Sequence, residues 1–251
     1  MDLQKVNQLA WKRVDEYVRL WIGDLEVVMP YFTNDVGREF GKIMREVEVP
    51  AKLIKEVFRV YNMNGVPFGW YRGKGTPEQI KQAVAEIAKI HGVELESFTP
   101  LGLVEFMKMV GLGVDCSGFA YQVLGSAVGE ENLKQVLDWE SEEQEVYKAG
   151  VFTFAGRASE AISWEELQPL DLILLKKKDL VTYSHVALVL ERQGWWVVQS
   201  TSTAVPMGVT VDRLKPTSRG PVFDFKPSRG ESWEELWKQD RMELRRLKPF
   251  C

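Results

Sequence analysis

An α+β fold built on one antiparallel sheet is what the order of hydrophobic periods in this chain predicts. Apolar residues recur at helical spacing through the first 130 residues, and after about residue 170 the period shortens to two. The strand-like runs are short and separated by polar or glycine-containing turns. Helices first and strands later place the helices together against an antiparallel sheet.

Composition bounds what such a fold can do. The chain has 251 residues, 45% hydrophobic and 27% charged, which suits one globular domain or one domain with an appendage. Net charge is −4, and lysine and arginine are scattered, which argues against a nucleic-acid partner and against anionic membranes. No apolar run reaches the length of a membrane span. The first residues, "MDLQKVNQLAWKRVDEY", lack the basic, apolar and cleavage regions of a secretory signal, so the expectation is a cytoplasmic protein, or one of the cell wall if a leader precedes this chain. Two cysteines, Cys116 and Cys251, make no disulfide framework, and no Cys/His cluster suggests zinc. A Cys116–Cys251 bridge stays open. Neither a metal nor an organic cofactor is expected, and oligomeric state is unread.

Taken in order, the first sixty residues read as helices. Leu3, Val6, Leu9, Ala10, Tyr17, Val18 and Trp21 form one stripe, and Leu53, Ile54, Val57, Phe58 and Tyr61 another. Residues 1–62 are therefore taken as a helical N-terminal region and 63–251 as the functional domain. "NGVPFGWYRGKGTPEQ" breaks the pattern and ends in a helix start, with Thr76 as cap, Pro77 in the first position and Gln79 closing a capping box. That helix carries Ile80, Val84 and Ile87 and stops near His91-Gly92. A second short helix over Leu101–Val110 completes a helical insert spanning about 76–111. Residues 130–148 are acidic and helix-prone, a solvated face. Ser163 and Glu166 make another capping box, and "DLILL", "SHVALVLE", "WWVVQS" and "VTVD" read as strands. "ESWEELWKQDRMELRRL" reads as a last capped helix leading into a last strand.

Chemistry concentrates in "GVDCSGFAYQVLG". Asp115 is placed to cap a helix along which Phe119, Ala120, Val123 and Leu124 recur, so Cys116 falls in its first turn. Unpaired N–H groups and the helix dipole at that end favour the thiolate, and Gly118 keeps the approach open. A lone cysteine is also a common small core residue, so the reading depends on finding a base. The chain has two histidines. His91, at a helix end beside Gly92, reads as structural. His185 opens the strand "SHVALVLE", where alternation sets His185, Ala187 and Val189 on one face and Val186, Leu188 and Leu190 on the other. A hairpin returning antiparallel sets Gln199 beside His185, its carbonyl able to accept from the ring.

"DCSGF", then "ELQPLDLILL", then "SHVALVLE", then a polar residue closing the next strand, resembles the NlpC family of papain-like cysteine peptidases, which cleave peptide stems of bacterial cell walls. The resemblance covers about residues 65–250. It implies a papain-like core, a nucleophile helix packed on a small antiparallel sheet, with Cys116 as nucleophile, His185 as general base and Gln199 as the third polar residue. It also implies a peptide or muropeptide substrate cleaved through a thioester. Where the family has Pro-Gly-Asp-Leu this chain has Pro169-Leu170-Asp171-Leu172, which bears on the geometry of a turn. The third residue is commonly histidine there, and the glycine-rich aromatic motif usually directly precedes the cysteine. Its nearest match here, "PFGWYRGKG", lies some forty residues upstream, so that Trp70 or Tyr71 reaches the site only if the insert folds outward.

Tyr71 in that case helps bind the oxyanion, and Asp115, Ser117 and Ser184 are the remaining oxyanion or substrate-binding candidates, Asp115 reading better as a cap than as an acid. One of Trp195 and Trp196 packs inward by alternation. The same Cys/His pair also fits an acyltransferase, and the same fold a non-catalytic binding module.

Overall fold

The computed structural model describes residues 2–32, 73–137, 149–217 and 220–248, with the side chains of Ile90, His91 and Met109 outside that description. Among these residues the architecture is mixed α+β: seven α-helices and a curled, fully antiparallel seven-stranded sheet. Chain order runs α1 (Leu3–Val18), β1 (Leu20–Ile22), β2 (Leu25–Val27), α2 (Pro77–His91), α3 (Pro100–Met109), α4 (Cys116–Val128), α5 (Glu130–Val136) and α6 (Val151–Ala155). Then come β3 (Ser159–Ala161), β4 (Leu172–Lys176), β5 (Tyr183–Glu191), β6 (Trp195–Thr201), β7 (Gly208–Thr217), β8 (Gly220–Phe223), α7 (Trp233–Lys238) and β9 (Met242–Leu247). The sheet order is β3-β9-β4-β5-β6-β7-β8. No described helix is long and apolar enough to cross a membrane.

Both faces of the sheet are covered, which is why β5 is a continuous apolar run. Val186, Leu188 and Leu190 point into a large core shared with α1, α2, α3 and α4, whereas Ala187 and Val189 join a second core with Trp164, Phe223, Phe225 and Trp233. The alternation read from the sequence holds. Helix α2 keeps its expected capping box, buries Ile80, Val84 and Ile87, and ends on Gly92 in the left-handed conformation.

The N-terminal reading needs correction at residues 20–27. They form the β1–β2 hairpin, Leu20 opposite Val27, around a two-residue Gly23-Asp24 turn with Gly23 at φ +58°. Trp21, placed in the helical stripe, is exposed on β1, and Leu9 is exposed on α1. Val6, Ala10, Val14 and Tyr17 of α1 do pack in the large core, beside Phe119 and Leu124 of α4, so the described N-terminal residues share the core that supports Cys116. The second helical stripe, residues 53–61, and most of the acidic segment beyond Val136 lie outside the described residues.

Two local features shape the functional end of the sheet. Leu170, in the turn where a glycine was the resemblance's expectation, has φ +74°, so the turn keeps a glycine-like backbone. Left-handed strain of about 1–2 kcal/mol is offset because the Leu170 side chain is fully buried. The β5–β6 ladder runs from Glu191–Trp195 to Leu188–Val198 and stops there. At that end the hydroxyl of Ser200 donates to the carbonyl of Val114 at 2.6 Å, which seats the loop before α4 at the mouth of the two strands.

Candidate active site

Asp115 is the N-cap of α4: its backbone is extended (φ −87°, ψ 173°) and Oδ1 accepts from the Gly118 N–H at 2.7 Å. Cys116 is thereby the first helical residue, as the sequence predicts, but its side chain is buried. Burial pushes the thiol up to about 11, with the Asp115 carboxylate adding to the rise. The N–H groups of Val186 and Ser117 and the Lys74 charge act in the opposite direction without overcoming it. A helix start alone, then, does not make a thiolate here.

The candidate base, His185, stands at the splayed end of β5. Ser184 bulges out where the β4–β5 register shifts, and His185 stands opposite Leu175. Nε2 of His185 lies 2.7 Å from Oε1 of Gln199 on β6. An amide oxygen only accepts, so this contact places the ring proton on Nε2 and leaves Nδ1 as the base. Trp233, at the start of α7, packs edge-on to the imidazole with centroids 6.2 Å apart. Burial lowers His185 to about 4, only partly countered by Gln199. Gln199 is fully buried, and among the described residues its Nε2 has no hydrogen-bond partner.

The sulfur meets the N–H of Val186, the residue after His185, but the His185 ring lies on the other face of β5, against Trp233 of the second core, while Cys116 belongs to the large core. Among the described residues no hydrogen bond joins the sulfur to the imidazole, and His185 bonds to Gln199 alone. Both groups are neutral at pH 7.

The other sequence candidates separate clearly. The Ser117 hydroxyl is buried and faces inward, donating to Asp115 and to the Ala149 carbonyl, so only its backbone N–H faces the thiol. Ser184 is exposed and donates to the Leu175 carbonyl at 3.2 Å. Tyr71 lies outside the described residues, as does Trp70.

Sequence reasoning missed Tyr31. Its segment is threaded between two others: Pro30 bridges Gly208, Tyr31 bridges Val114, and the Val114 N–H donates to the Pro30 carbonyl at 3.1 Å. Gly113 and Gly208 permit this approach, since a Cβ on either would sit 2.5 Å from a backbone oxygen of Pro30 or Met29. Burial and the nearby Cys116 and Asp115 charges hold the Tyr31 hydroxyl proton on, so it is a donor beside the sulfur at every working pH. Nothing in "MPYF" announces this, because the pairing depends on residues 83 and 178 positions away.

Also unforeseen was the burial of Lys74. Its ammonium lies 2.7 Å from each Asp115 oxygen and 2.5 Å from the Ser117 hydroxyl, and the residue is 3% exposed. The only advance signal was a lysine between two glycines in "RGKG". No group of three or more metal-binding side chains occurs among the described residues. Comparison with protein-family models, with curated proteins and with solved structures found no match for this chain.

Proposed function

We propose that the protein is a cysteine-dependent amide hydrolase with a papain-like core of the NlpC type, acting on peptide stems of bacterial cell walls or their fragments. One observation carries the chemistry: the Cys116 sulfur at a helix start meets the N–H of Val186, next to a His185 whose tautomer is set by Gln199. The substrate class rests on the resemblance of "DCSGF" through "WWVVQS" to the wall peptidases.

In this reading substrate entry swings the His185 ring out of the second core to the thiol, and Nδ1 takes the thiol proton as sulfur attacks the carbonyl carbon. The carbonyl electron pair moves to oxygen, where the Tyr31 hydroxyl and the Cys116 N–H donate to the oxyanion. Collapse breaks the C–N bond, and the amine leaves with the proton from His185. Water then attacks the thioester, giving its proton to His185, and the carboxylate departs as the thiol is restored.

The test is product analysis with a muropeptide containing a γ-D-glutamyl–diamino acid bond, with and without a free amine acceptor. Hydrolysis by wild type and none by Cys116→Ala supports the reading. Transfer to the added amine makes the same thioester an acyltransferase intermediate, and cleavage that survives Cys116→Ala removes the cysteine from the chemistry.

A further inference from the structure

A buried lysine is costly unless its charge is matched, and Lys74 is matched by a carboxylate that lies beside a thiol. Lys74 is held from three sides. The Gly73 carbonyl accepts from the Asp115 N–H at 2.9 Å, the Lys74 carbonyl accepts from Gln122 at 2.7 Å, and the Gly75 carbonyl accepts from the Tyr17 hydroxyl at 2.7 Å. The contact with α4 is so close that a Cβ on Gly118 would sit 2.1 Å from the Gly73 oxygen. Backbone 73–75 is thus clamped between α1 and the start of α4, and the ammonium is fixed on Asp115 and Ser117.

The position of that charge matters because Asp115 has two tasks that conflict. As N-cap it must be an acceptor, but as a carboxylate one residue from Cys116 it opposes formation of a second negative charge on sulfur. A cation 2.7 Å from both carboxylate oxygens reduces the conflict.

We propose that Lys74 is a positioning residue for the nucleophile: it holds the Asp115 carboxylate in place as the helix cap and offsets part of its charge at Cys116, so setting the reactivity of the thiol. This rests on Cys116 being the reactive group. Among the described residues, the charged or titratable groups facing the thiol are Asp115 ahead of α4, Lys74 from the 73–75 segment and Tyr31 from the N-terminal segment. Of these, Lys74 supplies the standing positive charge.

The rate constant for iodoacetamide labelling of Cys116, followed by mass spectrometry at pH 8 and again across pH 7–9.5, reads the thiolate fraction. Asp115→Asn keeps a capping acceptor and leaves Lys74 uncompensated, so labelling rises about tenfold, one pKa unit. Lys74→Met leaves the carboxylate uncompensated and slows labelling by about the same factor. Their combination returns the rate to within about threefold of wild type. Loosened structure alone moves every variant the same way, toward faster labelling of a more exposed thiol. Opposite signs for the two single variants are the expected result. Equal signs, or no change in Asp115→Asn, overturn the proposal, and if Lys74→Met does not fold, Lys74→Gln takes its place in the comparison of signs. Because labelling needs no turnover, these signs stand or fall separately from hydrolysis of any substrate.

Discussion

The two halves of the candidate site are built from different physics. The nucleophile half is ionic: Cys116 follows a carboxylate that caps its helix and binds a buried lysine. The base half is uncharged: His185 has a single amide partner and lies against Trp233, which in turn contacts Phe223 at 5.0 Å and Phe225 at 5.5 Å. Burial dominates in both, raising the thiol and lowering the imidazole, so the resting pair is neutral instead of the thiolate that a helix start suggests. The difference teaches where control lies. Charge around Cys116 tunes how readily it ionises, while packing around His185 decides where its nitrogen points.

Removing aromatic packing should damage the base half most. Trp233→Ala is expected to cost about 3–5 kcal/mol of stability in denaturant unfolding. Below its melting temperature, alkylation of Cys116 should keep its wild-type pH dependence, because no charge beside the thiol has changed; a shifted profile would mean that the two halves are not separate.

Next in size is the pH dependence of stability. His185 is lowered to about 4 when folded, against an ordinary value near 6.5. Between those values the unfolded chain binds the extra proton, so stability is full above pH 6.5 and declines as pH falls toward 4, by up to about 3 kcal/mol. His185→Gln should flatten that part of a melting-temperature profile, while Asp115→Asn should leave it in place.

The smallest effect falls on the oxyanion donor. Tyr31→Phe removes a hydroxyl while keeping the ring, and should lower kcat about a hundredfold with KM and melting temperature nearly unchanged. An unaltered kcat would make Tyr31 a packing residue.

Legibility in the sequence follows the same division. The His185–Gln199 contact was readable because its parts are local: a strand of period two and a short hairpin set Gln199 on the strand beside His185, although the register of the ladder points Gln199 at Ala187 and the contact is a diagonal one. The cap at Asp115 was readable for the same reason, whereas Leu170, expected to alter the geometry of its turn, has a positive φ and keeps a glycine-like backbone. The β1–β2 hairpin had a signal, Gly23-Asp24 between β-formers, that a helical stripe running to Trp21 obscured. Tyr31 and Lys74 had none of this help. Their roles depend on contacts across 83 and 41 residues, with Val114 and Asp115. Long-range pairing of that kind leaves no periodicity in the chain.

The central claim is that Cys116 takes up an acyl group with His185 as its base, and an activated ester tests it without knowledge of the natural substrate. We would mix the protein with p-nitrophenyl acetate, follow p-nitrophenolate release, and locate the acetyl group by mass spectrometry. The account predicts an acetyl group on Cys116, followed by turnover, with acylation slowed at least about a hundredfold in His185→Ala. Acetylation confined to Cys251 or lysines, or an equal rate in the His185 variant, would contradict it.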